Sequence, residues 1–86
     1  FKPASTVAAK GDILEFHFLP RMHNAVQGSF DKACNPLAGG FYSGDMRVPT
    51  GEGNVTFSVE VKDDKPIWFY CSVGSHCQDG MGGVVN

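Results

Sequence analysis

Val55-Thr56-Phe57-Ser58-Val59-Glu60-Val61 alternates apolar and polar residues without a break, and shortly after it the chain runs Pro66-Ile67-Trp68-Phe69-Tyr70-Cys71, almost continuously apolar. A period of two puts Val55, Phe57, Val59 and Val61 on one face, the pattern of a strand with one side against a core. The second run is rich in aromatic and β-branched residues and reads as a central strand covered on both faces. Pro66 stands at its first position, where a missing N–H is tolerated. Asp63-Asp64-Lys65-Pro66 supplies the turn between the two.

Upstream, Ile13 to Leu19 repeats the alternation, with Leu14, Phe16 and Phe18 on one face and Glu15 and His17 on the other, and Gly11-Asp12 turns the chain before it. Short Val-containing pieces, Ser5 to Ala9 and Gly83 to Val85, extend the β pattern to both ends. From Gln27 to Gly53 the alternation stops, and Gly39-Gly40, Ser43-Gly44 and Pro49-Thr50-Gly51 mark a long loop region of the kind that is functional or cross-linked in a compact domain. Eleven glycines and five prolines are too many for an all-helical fold. The expectation is an all-β sandwich of two sheets forming a single domain over residues 1–86, since a chain this short supports one core.

Seven Lys and Arg against nine Asp and Glu give a net charge of -2 scattered along the chain, which leaves no nucleic-acid or polybasic membrane footprint. No apolar run approaches the roughly 20 residues of a transmembrane segment, and no signal peptide precedes Phe1. The sequence opens inside its first strand, so a soluble domain trimmed from a longer precursor is expected.

Three cysteines mean one pair and one thiol with another task, or a thiol awaiting an intermolecular partner. Cys71 ends the aromatic strand and opens Cys71-Ser72-Val73-Gly74-Ser75-His76-Cys77-Gln78-Asp79-Gly80-Met81, a Cys, a His and a Met at intervals of five. A thiolate, an imidazole and a thioether in one loop are soft and borderline donors that suit copper and not magnesium or calcium. His23, in the loop after the first alternating strand, supplies a second imidazole from a place that a sandwich brings beside the end of another strand.

With these residues in view, the chain resembles the cupredoxin family, most closely its small extracellular fungal domains. The resemblance spans nearly the whole chain. It rests on Gly11-Asp12, on His23, on Cys34-Asn35-Pro36-Leu37-Ala38-Gly39-Gly40-Phe41, and on Pro66 to Cys71 leading into His76-Cys77 and Gly80-Met81. It implies a Greek-key β-sandwich and one copper ion cycling between Cu(I) and Cu(II). His23, Cys71 and His76 become the strong ligands and Met81 a long axial one. It also implies a Cys34–Cys77 disulfide, as in the plant phytocyanin branch, which frees Cys71 for the metal.

Around this set, Asn24 is expected to bond across to the other ligand loop and hold the two together. Trp68 and Tyr70 are expected in the core next to the site, and His17 in a surface or structural role. Met22 and Met46 carry no assignment. Asn54-Val55-Thr56 is an N-glycosylation sequon, which fits a secreted, extracellular or cell-surface protein. The expected function is single-electron transfer with an unidentified redox partner protein by a monomer that is not an enzyme, because no general base stands beside an open substrate position. The competing reading is copper storage, delivery or sequestration without redox turnover. A copperless interaction domain would require a lost ligand, and none is lost.

Overall fold

The computed structural model describes Phe1 and residues 4–53 and 55–86, so the Asn54 sequon lies outside the described residues. Within the described residues eight strands follow one another: β1 (Ser5–Thr6), β2 (Ile13–His17), β3 (Met22–His23), β4 (Val26–Gly28), β5 (Met46–Arg47), β6 (Thr56–Glu60), β7 (Ile67–Tyr70) and β8 (Gly82–Val85). Among the described residues there is no helix, and the architecture is an all-β sandwich.

The aromatic run becomes β7, an interior strand of a four-stranded sheet ordered β1-β8-β7-β4. It pairs antiparallel with β4 and β8, while β1 joins β8 in parallel. The two alternating runs pair with each other as β2 and β6, in a register that sets Leu14 opposite Val59 and Phe16 opposite Phe57. Where two sheets were expected, hydrogen bonding divides the remaining strands into two ladders, β2–β6 and a short β3–β5. The division follows from the sequence: Pro20, which has no N–H, stands between β2 and β3 and prevents one continuous strand.

Phe69 on β7 faces the β2–β6 ladder. Its ring meets Phe16 edge-on at 5.2 Å and Phe1 at 4.8 Å, and Phe16 in turn packs against Phe41 and Phe57. Fully burying one such side chain stabilises the fold by roughly 1.5–3 kcal/mol. Gly83 is directly opposite Phe69, and a Cβ there would lie 2.7 Å from the Phe69 ring, so only glycine leaves room for this packing.

Two expectations are corrected by the register. Val55 is 61% exposed, because the β2–β6 ladder ends at the His17–Thr56 pair and Val55 lies beyond it. Trp68 and Tyr70 point away from the Phe69 face, although Tyr70 is buried as expected, at 6% exposed, and only Trp68 departs from the expectation. They share the outer side of the sheet with Gly28, Val26, Gly82 and Val84, where the loop after β4 covers them. Trp68 is half-buried against Phe30, ring centroids 5.1 Å apart, and not in the core. Strand alternation requires this division once Phe69 is inside.

The middle loop is more ordered than its composition suggests. Residues 41–43 return alongside β4: the Gln27 N–H donates to the Phe41 carbonyl at 2.9 Å, and the Ser43 N–H to the Ala25 carbonyl at 2.9 Å. The same return carries β5, whose Met46 sits opposite His23.

Candidate metal centre

His23 closes β3, and its Nε2 lies 3.1 Å from the carbonyl oxygen of Pro20. A carbonyl can only accept, so in the neutral ring Nε2 is the nitrogen that carries the proton and Nδ1 the one with the lone pair. That lone-pair nitrogen is 3.9 Å from Cys71 Sγ. Cys71 follows β7 directly and is 0% exposed. His76 Nδ1 approaches the same sulfur at 3.4 Å, and the two imidazole rings stand 5.0 Å apart. One donor atom from each of the three residues falls within 4.8 Å of the others.

The loop that carries Cys71, His76 and Met81 is tied by its own backbone. The His76 N–H donates to the Val73 carbonyl at 3.0 Å, and the Met81 N–H to the His76 carbonyl at 2.9 Å. The Met81 carbonyl in turn accepts the Cys71 N–H at 3.1 Å. Cys77 is joined to Cys34 by a disulfide with Cα atoms 5.8 Å apart, fastening the same loop to the segment after β4. Cys71 is the free cysteine.

Asn24, 1% exposed, spans from the His23 side to the Cys71 side. Its Oδ1 accepts the Ser72 N–H at 2.8 Å, and its Nδ2 donates to Ser72 Oγ at 2.8 Å and to Asp45 Oδ1 at 2.9 Å. The Tyr42 hydroxyl donates to the same Asp45 oxygen at 3.2 Å. Sequence reasoning missed Asp45 and Tyr42, which lie in a stretch without periodicity, and also the Pro20 carbonyl, a backbone group with no residue-type signal.

Met81 is half-buried and lines a cleft of about 790 Å³ together with His23, Leu19, Pro20, Phe1 and Phe69. Met81 and His23 thus border the same cleft. Met46, opposite His23, packs against the Phe18, Ala25 and Val48 cluster instead.

The donor set fits a soft or borderline metal ion. Bonds of roughly 2.0 Å to nitrogen and 2.3 Å to sulfur, meeting at tetrahedral to trigonal angles, separate the donors by about 3.5–3.7 Å. The observed 3.4 and 3.9 Å bracket that separation. Two neutral imidazoles and one thiolate suit copper better than hard cations.

His17 stands apart from this group. Its Nε2 meets Glu15 Oε1 at 2.5 Å and its Nδ1 meets Glu52 Oε2 at 3.3 Å, all three side chains being largely exposed. The hydrogen bond to Glu52, then that to Glu15, raises its pKa above the usual 6.5. A raised folded value means that the contribution is fully present below the unfolded pKa and is lost as pH rises through the folded one. An NMR titration should therefore show His17 titrating above 6.5 and moving back toward it in Glu52→Gln.

A β-sandwich that converges two imidazoles and a buried thiol at one end defines a small β protein with a side-chain group able to hold a metal ion. No family model matches the chain. It is 43% identical over its whole length to an extracellular serine-rich protein of Arthroderma benhamiae and 38% identical to a probable GPI-anchored cupredoxin-1 of the same fungus. It spans 34% of the first and 44% of the second. Against the basic blue protein of Cucumis sativus it is 36% identical, covering 88% of this chain and 71% of that one. The chain belongs to the cupredoxin family of blue copper proteins, which are not enzymes. It is an extracellular or cell-surface protein, in keeping with its disulfide. Among the described residues, no helix is long and apolar enough to cross a membrane.

Proposed function

We propose that this chain holds one copper ion through His23, Cys71, His76 and Met81 and serves as a single-electron carrier for a partner protein. The observation that carries the reading is the convergence of the His23 and His76 Nδ1 atoms on the buried Cys71 sulfur, with the His23 tautomer set by Pro20. Copper bound there supplies a one-electron couple.

The protein's own contribution is to keep these donors still. Pro20 fixes the His23 ring, Asn24 links the two loops, and the Met81 backbone bonds to both His76 and Cys71. A site held this way needs little rearrangement when its charge changes, which favours electron transfer over release of the ion. Burial of Cys71 keeps water and competing thiols from the sulfur. His76 is half-buried in a turn where Gly74 and Gly80 have φ of +51° and +104°. Glycine adopts that backbone without strain, and the absence of side chains lets a partner approach the imidazole.

The axial role of Met81 gives the test. Met81→Leu should keep copper and colour while raising the reduction potential, because losing a weak sulfur donor disfavours the oxidised ion. Met81→Gln should lower the potential, since an amide oxygen is a harder donor. Voltammetry on the three proteins should rank them Leu above Met above Gln, and identical potentials would remove Met81 from the ligand set.

A further inference from the structure

We propose that Asp45 is a positioning residue for the centre: its carboxylate holds the Asn24 amide in the one orientation that clamps Ser72, and thereby fixes the chain at Cys71. The inference rests on the copper reading only for its second readout.

The Asn24 amide has two donor hydrogens on nitrogen and an acceptor oxygen. The oxygen takes the Ser72 N–H, and the nitrogen gives one hydrogen to Ser72 Oγ and the other to Asp45 Oδ1. Turned over, the amide would set its oxygen against a carboxylate and its NH2 against a backbone N–H, two repulsive contacts. Both ends therefore enforce one orientation, and the Asp45 end does so with a charge-assisted bond, the stronger kind. Without it, a polar side chain that is 1% exposed loses the partner on its outer side.

Asp45 is itself held for this task. The Ala25 N–H donates to Ser43 Oγ at 2.8 Å and the Ser43 N–H to the Ala25 carbonyl at 2.9 Å, while Met46 pairs with His23. Segments 23–25 and 43–46 thus run side by side, with Asp45 next to Asn24 between two anchored neighbours. The Tyr42 hydroxyl adds a second donor to Asp45 Oδ1. Ser72 follows Cys71 directly, so its place and that of the sulfur are coupled through one peptide unit.

Hydrogen exchange of the Ser72 amide, measured by NMR on the metal-free protein, tests the proposal. Asp45→Ala should accelerate that exchange about tenfold, the least expected when a hydrogen bond to a charged group is lost, and leave the β6 amides unchanged. Asp45→Asn keeps a carbonyl acceptor and should restore most of the protection. Asp45→Glu, which displaces the carboxylate by one methylene, gives the same readout as alanine and serves if the alanine variant does not fold. Unchanged Ser72 exchange, or acceleration shared equally by β6, overturns the proposal. In the copper-loaded protein, Asp45→Ala should shift the reduction potential further than Asp45→Asn, because both lose the carboxylate charge and only alanine also loses the hydrogen bond to Asn24. Equal shifts in the two variants would mean that the charge alone acts on the centre and would overturn the positioning role. A loaded protein that is not blue would count against the copper reading alone, since the exchange result needs no metal.

Discussion

Cys71→Ser should abolish the intense visible band of the copper-loaded protein while the fold survives. The band is a charge transfer from thiolate sulfur to the oxidised ion, and a hydroxyl offers no comparable soft donor. The other cysteines cannot substitute, because Cys34 and Cys77 are bonded to each other. The fold should persist because the replacement is nearly isosteric and its hydroxyl can donate to His76 Nδ1, which lies 3.4 Å from the sulfur in the native protein. An unsatisfied hydroxyl at a 0%-exposed position would cost about 1–3 kcal/mol, and that hydrogen bond offsets most of it. Absorption spectra and metal analysis of the two loaded proteins check the result. A serine variant that remained intensely blue would remove Cys71 from the centre.

The parts of this protein that were legible in the sequence are those in which side-chain chemistry or strict alternation speaks for itself. Leu14, Phe16, Phe57 and Val59 declared their face because a two-residue period has one consistent burial, and the ladder pairs Phe16 with Phe57 and Leu14 with Val59. Cys71, His76 and His23 stood out because few loops combine those donors, and the structure brings their atoms within 4.8 Å.

What was not legible depends on partners that no local pattern encodes. The run around Trp68 is apolar on both sides, so sequence could not say which side Phe69 would claim; that was decided by Phe16 and Phe1 arriving from elsewhere. Val55 continued the alternation of β6 but lies beyond the end of its ladder. Asp45 acquires its role from a chain reversal that lays residues 43–46 beside 23–25, a long-range pairing inside a glycine-punctuated stretch.

Replacing both Cys34 and Cys77 by Ala should produce the largest loss of stability of any change considered. The bridge joins residues 43 apart in sequence, and the chain-entropy model assigns a loop of that size about 4 kcal/mol through restriction of the unfolded state. A domain of this length has only about 4–13 kcal/mol of net stability, so the bridge provides a large share. At roughly 4–8 °C per kcal/mol, the melting temperature should fall by about 15–30 °C. The loss also has a local side. Cys77 follows His76 directly, and the bridge fastens it to the segment that covers the outer face of the sheet over Trp68 and Tyr70. Released from that anchor, the His76 turn is left with short-range bonds within its own loop, among them His76 to Val73, Asp79 to Ser75, Gly80 to Cys77 and Met81 to His76. The His76 ring signals should therefore broaden in NMR spectra at temperatures where those of His17, remote from the bridge, stay sharp. Thermal melts and these spectra of the double variant check both parts. A drop of only a few degrees with an unchanged His76 signal would mean that the sandwich core alone holds the ligand loop in place.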